Sequence, residues 1–325
     1  MCTAIRIKRG IIGRNLDYEI KYGEELAVSP PLFTFTYKML PPDGEHNAII
    51  GIAKTVNGYP LYFDAINEHG LGCIALSFPE SAYYRDPKRG FVNLAPHEVI
   101  QYILTHAADI REARRELERI NIIDKPYNEE LPVAKLHWFI SDGEHSLILE
   151  STKSGMAVYE DDVGVLTNEP PYPFHRTNIR TYLNLTDKEA VDRFPGSTAM
   201  TPYSRGMGAV GLPGDHSSAS RFVRAAFTRA ASITPDGVSD ITEAFHVLAS
   251  VEQQSGCVDV GGVPEYTQYT SVADLTDGVY YLRTYRNSRI RSYRLSECIQ
   301  SPDKLTVIAL DSCEDIKQYP PRRIT

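Results

Sequence analysis

Runs of β-branched and aromatic residues with a period of two fill the first third of the chain and return near its end, with helix-period stretches between. "CTAIRIK" and "GIIGRNL" flank Arg9-Gly10, which reads as a tight hairpin turn. "NAIIGIAKT", "YPLYFDAINEHG" and "LGCIALSF" continue the pattern, with "EHG" as another turn. From Pro96 to about Ile120 the period changes. Val99, Ile100, Ile103, Leu104, Ala107, Ile110, Ala113 and Leu117 recur three and four apart, which predicts one amphipathic helix.

Strands resume at "LHWFISDGEHSLILES", a hairpin around Asp142-Gly143, and continue through "GMAVYEDDVGVLTN". "ASRFVRAAFTRAASI" and "DITEAFHVLASVE" form a second helical block, followed by strand-like "TQYTSVADLTDGVYYLRTYRNSRIRSYRL" and "KLTVIAL". "EPPYPF" and "GMGAVGLPGD" read as ordered loops. Strand blocks at both ends and helix blocks between them predict an α+β architecture: two antiparallel sheets face to face, helices on their outer faces. No Gly/Ser- or Pro-rich linker and no internal repeat divides the chain, so a single domain over residues 1–325 is expected.

A formal net charge of -8 argues against a nucleic-acid partner, which needs a basic face to neutralise phosphates. The basic clusters "REARRELER" and "PPRRIT" are local, and the first is interleaved with acids and apolar residues as on the wet face of a helix. No apolar run approaches bilayer length, and "IRIKRGIIGRN" is interrupted by charge where a secretory signal needs an apolar stretch. A cytoplasmic protein with no membrane partner is therefore expected. Cys2, Cys73, Cys257, Cys298 and Cys313 show no CxxC spacing, and the nine histidines form no HExxH pair. Neither a disulfide framework nor metal or cofactor chemistry is expected.

A lone cysteine in a first strand is ordinarily small core filling. Cys2 is different if Met1 is removed, because one residue then carries both a thiol and a free α-amine. A thiol titrates near 8.5 and needs a base or a cation beside it, while an α-amine titrates at roughly 7.7–8.0 and can take and return the proton. One residue thus supplies nucleophile and base, as in N-terminal-threonine hydrolases, and no histidine is required. "GRNLD", on the hairpin partner, offers Arg14 to favour the thiolate and Asp17 to hold the amine. "GVLTNEPP" offers Asn168 at a strand end as a side-chain donor to an oxyanion, and "SASRFVR" puts Arg221 in the first turn of a helix.

Together "MCT", "GRNLD", "NEHGLG", "LHWFISDG", "VGVLTNEP", "GLPGDHSSASRFVR" and "YTQYTS" resemble, in order, the choloylglycine hydrolase family of N-terminal-nucleophile hydrolases. That family contains conjugated bile salt hydrolases and penicillin V acylases. The resemblance implies a four-layer αββα sandwich, a mature chain starting at Cys2 and a homotetramer. It implies Cys2 as nucleophile and base, Arg14 and Asp17 as its activators, Asn168 as oxyanion donor and Arg221 as support. Where bile salt hydrolases often read "GLNFP", this chain reads "ALSFP". The second oxyanion donor there is a backbone N–H, which Ser77 supplies as well as Asn would. Leu16, Tyr22, Val56, Tyr127 and Leu131 fall at positions equivalent to those lining the family's acyl pocket.

An apolar pocket with two tyrosine hydroxyls suits a hydroxylated steroid acid and also an aryloxyacetyl group. "GLPGD" and "NEHGLG" look closer to the bile salt hydrolase branch. The expected substrate is a glycine- or taurine-conjugated bile acid or related N-acyl amide, with penicillin V as the alternative. Two readings from other classes are weaker. A non-catalytic binding protein has no use for Cys2 with Arg14 and Asp17, and a redox thiol needs a resolving partner where Cys73 reads as core.

Overall fold

The computed structural model describes residues 1–7, 10–194, 196, 199–311 and 313–321. Lys8, Arg9 and the last residues of "PPRRIT" lie outside that set. The first run of the chain forms β1 (Cys2–Ile7), β2 (Ile11–Tyr18), β3 (Glu24–Ser29), β4 (Ile49–Val56), β5 (Tyr59–Asn67) and β6 (Gly72–Ser77). Next come β7 (Val92–Leu94), α1 (Val99–His106), α2 (Ile110–Leu117) and β8 (Ile120–Ile122). β9 (Leu136–Ser141), β10 (Ser146–Thr152), β11 (Gly155–Asp161) and β12 (Val165–Leu166) follow. The helices α3 (Tyr172–Asn178), α4 (Ser218–Ala231) and α5 (Asp240–Ala249) precede β13 (Val258–Val260) and β14 (Val263–Asp274). β15 (Val279–Thr284), β16 (Arg291–Arg294), α6 (Leu295–Cys298) and β17 (Thr306–Ala309) close the described chain.

The strands make two large sheets. The first has the order β12-β1-β2-β14-β15-β16, with β13 added to β14; the second has the order β11-β10-β9-β6-β5-β4-β3-β17. Every pairing within both is antiparallel, and β7 and β8 form a separate parallel pair. α4 packs on β1 and β12, and α5 on β1, β2 and β14, covering the first sheet; α1 and α2 cover the second. This is the αββα sandwich. Its core has two parts. One lies between the sheets and under α4 and α5, with Ile12, Ile50, Ile66, Phe139, Phe222 and Leu248 among its buried members; the other, with Ile103, Leu117 and Trp138, joins the second sheet to α1 and α2.

Two local expectations are corrected. The helix expected from Pro96 to Ile120 is a short 3-10 turn, then α1 and α2, and Ile120 opens β8. The break sits where Ala107 turns extended and Asp109 caps α2, its side chain accepting from the N–H groups of Arg111 and Glu112. The apolar stripe runs through the break because both helices lie on one sheet. "EPPYPF" leads directly into α3, whose Pro173 falls in the first turn, where a missing N–H costs nothing.

Candidate active site

The β1–β2 hairpin sets the site. Cys2 stands opposite Leu16 and Ala4 opposite Arg14, so alternation sends Cys2, Arg14 and Leu16 to the face between the sheets. Thr3, Asn15 and Asp17 go to the other face, under α4 and α5. Arg14 is two positions from Cys2 on the diagonal, a gap that a long side chain spans. Its Nη2 donates to Cys2 Sγ at 2.9 Å, with both residues buried.

The other end of the Arg14 guanidinium is held by a gap in the second sheet. β5 and β6 pair from Ile66↔Gly72 only as far as Asp64↔Ile74. Just beyond, Arg14 Nη1 donates to both freed carbonyls, Phe63 O and Ala75 O, at 3.1 Å each, with Asp64 Oδ1 at 3.4 Å. Asp64 in turn accepts from Tyr269, Tyr280 and Ser271. Burial opposes the Arg14 charge, but the facing Tyr269, Cys2, Asp64 and Tyr280 groups outweigh it and hold the guanidinium protonated more firmly than usual.

Arg221 reaches Cys2 from the opposite side, out of the first turn of α4. Its Nη1 donates to the Cys2 carbonyl and to Thr3 Oγ1 at 2.7 Å, its Nη2 to Asn168 Oδ1 at 2.7 Å, and its Nε to His216 O at 2.9 Å. Asp17 Oδ2 lies 3.9 Å from Arg221 Nη1, and Asp17 Oδ1 accepts from Thr267 at 2.5 Å. Burial pushes the Asp17 carboxyl upward, against the pull of Arg221, the chain's amino terminus, Thr267 and Arg14. The Met1 amine donates to the Asp17 carbonyl and, at 2.7 Å, to Glu265 Oε2, while Asp17 N–H donates to Met1 O at 2.8 Å.

Asn168 sits two residues past the end of β12, its backbone tied to α4 by a bond from its N–H to Ser218 Oγ at 2.8 Å. Its amide has one possible orientation. Oδ1 faces Arg221, which has only donors, and Nδ2 faces the Ser77 carbonyl at 2.8 Å, which has none. Oδ1 also accepts from Cys2 N–H at 2.8 Å. In β6, Ser77 forms a non-hydrogen-bonded pair with Leu136, since the next ladder bond runs from Phe78 N–H to Lys135 O. The Ser77 N–H and C=O therefore both point away from β9, on the side where Asn168 stands.

A cavity of about 400 Å³ opens beside Cys2 and Arg14. Leu16, Tyr22, Ser77, Tyr127 and Leu131 line it; Val56 does not. Val56 closes β4 opposite Tyr59, at a turn made by Asn57 (φ 53°) and Gly58 (φ 78°), two residues beyond Lys54, which does line the cavity. Sequence reasoning missed Tyr18, Phe63, His97 and the run from Pro132 to Leu136. Tyr18 had a signal, since it continues the alternation of Arg14 and Leu16; Phe63 is the extra residue of a β5 bulge between Tyr62 and Asp64, where alternation fails. His97, in the 3-10 turn before α1, and the 132–136 segment leading into β9 are brought over the cavity only by the fold. Burial and the nearby Lys38 push His97 down to about 4, so it is a neutral wall here. Among the described residues no group of three or more His, Cys, Asp or Glu side chains is placed to hold a metal ion, and no helix is long and apolar enough to cross a membrane.

A cysteine opening the first strand of an αββα sandwich, with an arginine on its sulfur, fits the fold of the N-terminal-nucleophile hydrolases. A model of the linear amide C–N hydrolases, choloylglycine hydrolase family, matches residues 2–307. A bile salt hydrolase/transferase of Lactiplantibacillus plantarum is 41% identical over 91% of this chain and 93% of its own. A conjugated bile acid hydrolase of Lactobacillus gasseri is 34% identical over 94% and 99%. The C2A mutant of the conjugated bile acid hydrolase from Clostridium perfringens superposes with a TM-score of 0.92 at 30% identity, covering 98% of this chain and all of that one. A penicillin V acylase from Agrobacterium tumefaciens shares the fold, with a TM-score of 0.75 at 19% identity over 95% and 91% of the two chains. The chain belongs to the choloylglycine hydrolase family.

Proposed function

We propose that this protein hydrolyses the amide bond of glycine- or taurine-conjugated bile acids through a thioester on Cys2, once Met1 has been removed. The observation that carries this reading is Cys2 Sγ at 2.9 Å from Arg14 Nη2, both lining a largely apolar cavity. The relatives named for action on bile salts support the substrate class.

In this reading the Cys2 thiolate, held by Arg14, attacks the amide carbonyl. The oxyanion accepts from the Ser77 N–H and from the second N–H of the Asn168 amide, whose first is occupied by Ser77 O. The α-ammonium, anchored by Asp17, gives its proton to the departing nitrogen, the C–N bond breaks, and glycine or taurine leaves. Water then loses a proton to the α-amine and attacks the thioester; the bile acid leaves and Sγ returns as thiolate. Arg221 fixes the Cys2 carbonyl and Asn168 Oδ1, so both halves of the site share one brace. Leu16, Tyr22, Tyr127 and Leu131 cover the steroid, and no cofactor enters.

The reading extends to a homotetramer in the cytoplasm. Leu183, Val191 and Tyr203 lie exposed between α3 and α4, apolar surface that a second copy would cover, and the five free cysteines suit a reducing compartment. The test is to assay taurocholate, glycocholate and penicillin V side by side on wild type and Cys2→Ser. A bile salt kcat/KM well above that for penicillin V, falling roughly 10³-fold or more in Cys2→Ser, is the expected result. A larger value for penicillin V overturns the substrate; undiminished turnover in Cys2→Ser overturns the mechanism.

A further inference from the structure

The β14 residue Glu265 lies outside every motif that led to Cys2, yet it is buried beside the chain's first residues, 3% exposed. Its Oε2 accepts from the Met1 amine at 2.7 Å, and its Oε1 is buried with no hydrogen-bond partner. Asp17 mirrors it: Oδ1 is taken by Thr267, and Oδ2 is buried without a hydrogen bond. Two buried carboxylates thus stand near one amine, that of Glu265 bonded to it and that of Asp17 shared electrostatically with Arg221 Nη1 at 3.9 Å. Burial raises the Glu265 carboxyl, and Asp17 adds to the rise, while the amino terminus and Arg221 oppose it. A buried carboxylate in this position needs a cation.

Removal of Met1 takes the Glu265 partner away and creates a new ammonium one residue along, at Cys2 N. We propose that Glu265 is a positioning residue that, with Asp17, clamps the α-amine of processed Cys2 and keeps it basic enough to serve as the proton acceptor. This rests on the N-terminal-nucleophile reading above. The charged and titratable groups facing the clamp are Asp17 and Tyr18 from β2, the Cys2 thiol from β1, Arg14 behind it, and Arg221 from α4. Arg221 is the cation opposing the clamp, and it stands on the Cys2 carbonyl rather than on Glu265.

Glu265→Gln keeps the shape and removes the charge, so the amine gives up its proton more readily. The basic limb of kcat/KM for taurocholate, where the ammonium must still hold the proton it gives to the departing nitrogen and the sulfonate stays ionised throughout, is expected to move about one pH unit lower. Glu265→Asp draws the charge back by one methylene and moves the limb part of the way, which keeps the test available if the Gln variant does not fold. Intact mass confirms that Met1 has been removed from each protein, and Cys2→Ser is run as control. An unmoved limb in processed Glu265 variants, with Cys2→Ser inert, overturns the clamp alone. Met1 retained on fully active wild-type protein overturns the clamp together with the reading beneath it.

Discussion

Arg14 illustrates how one side chain ties chemistry to the backbone. Its charge serves the sulfur, but its position is set by Phe63 O and Ala75 O, two carbonyls left over where β5 and β6 stop pairing. Replacing it removes a cation from Sγ and strands both carbonyls, while Asp64 keeps its three hydroxyl donors. Arg14→Met is expected to slow alkylation of Cys2 by iodoacetamide at neutral pH, because the sulfur loses its cation. The rate is followed by peptide mass mapping, because Cys257 and Cys313 are exposed and react independently. An unchanged rate removes Arg14 from its assigned role. The asymmetry between the arginines is physical. Arg14 faces the gap between the sheets and touches sulfur, whereas Arg221 lies on α4's side and touches oxygens around it: the Cys2 carbonyl, the Thr3 hydroxyl and the Asn168 amide.

At the scale of elements, the hairpin turns do more than reverse the chain. Gly10 (φ 78°) and Gly143 (φ 87°) meet end to end, one from each sheet, and a Cβ on Gly143 would lie 2.3 Å from Gly10 Cα. The contact holds the tip of the β1–β2 hairpin, whose other end carries Cys2 and Arg14. Gly143→Ala meets a left-handed φ and a backbone clash together, and about 2–4 kcal/mol of destabilisation is expected. Gly237→Ala has a similar φ of 78° with nothing within 4 Å, so it should lose only about 1–2 kcal/mol. Urea unfolding of the two variants isolates the contact, and equal losses would deny it. The α1–α2 break belongs to the same scale. Periodicity showed the buried face, but the Asp109 cap decided that two short helices share it.

For the whole molecule, acid is the informative perturbation. His175 is fully buried, donates through Nε2 to Asn168 O at 3.0 Å, and is pushed by burial down to about 4. The unfolded chain takes up this proton near pH 6.5 and the folded one does not, so stability is complete above about 6.5 and falls as the pH drops towards 4. For His175 the loss approaches about 3 kcal/mol, and His97, also held near 4, adds in the same window. Urea midpoints measured from pH 7 to 4 should fall steadily, and His175→Gln should flatten the slope. A flat wild-type profile would mean that the histidine is not excluded from water as the fold has it.

The order of strands and helices, the two-sheet plan and the cluster around Cys2 were legible in sequence, because alternation, turn glycines and local motifs act over a few residues. Hence Cys2 and Arg14 could be placed together on a hairpin, and Asn168 and Arg221 suspected from "VLTNEP" and "SASRFVR". Three things were left to tertiary structure. The gap between β5 and β6 that seats Arg14 depends on where two strands part. Val56 falls beyond the cavity while Lys54 lines it, because depth along a strand is set by what packs across from it. The third is a bulge in β14 between Thr267 and Tyr269. Strict alternation would put Glu265, Thr267, Tyr269 and Ser271 on one face. The extra residue leaves the first two with Asp17 under the helices and sends the other two to Asp64 between the sheets, a division that period two cannot encode.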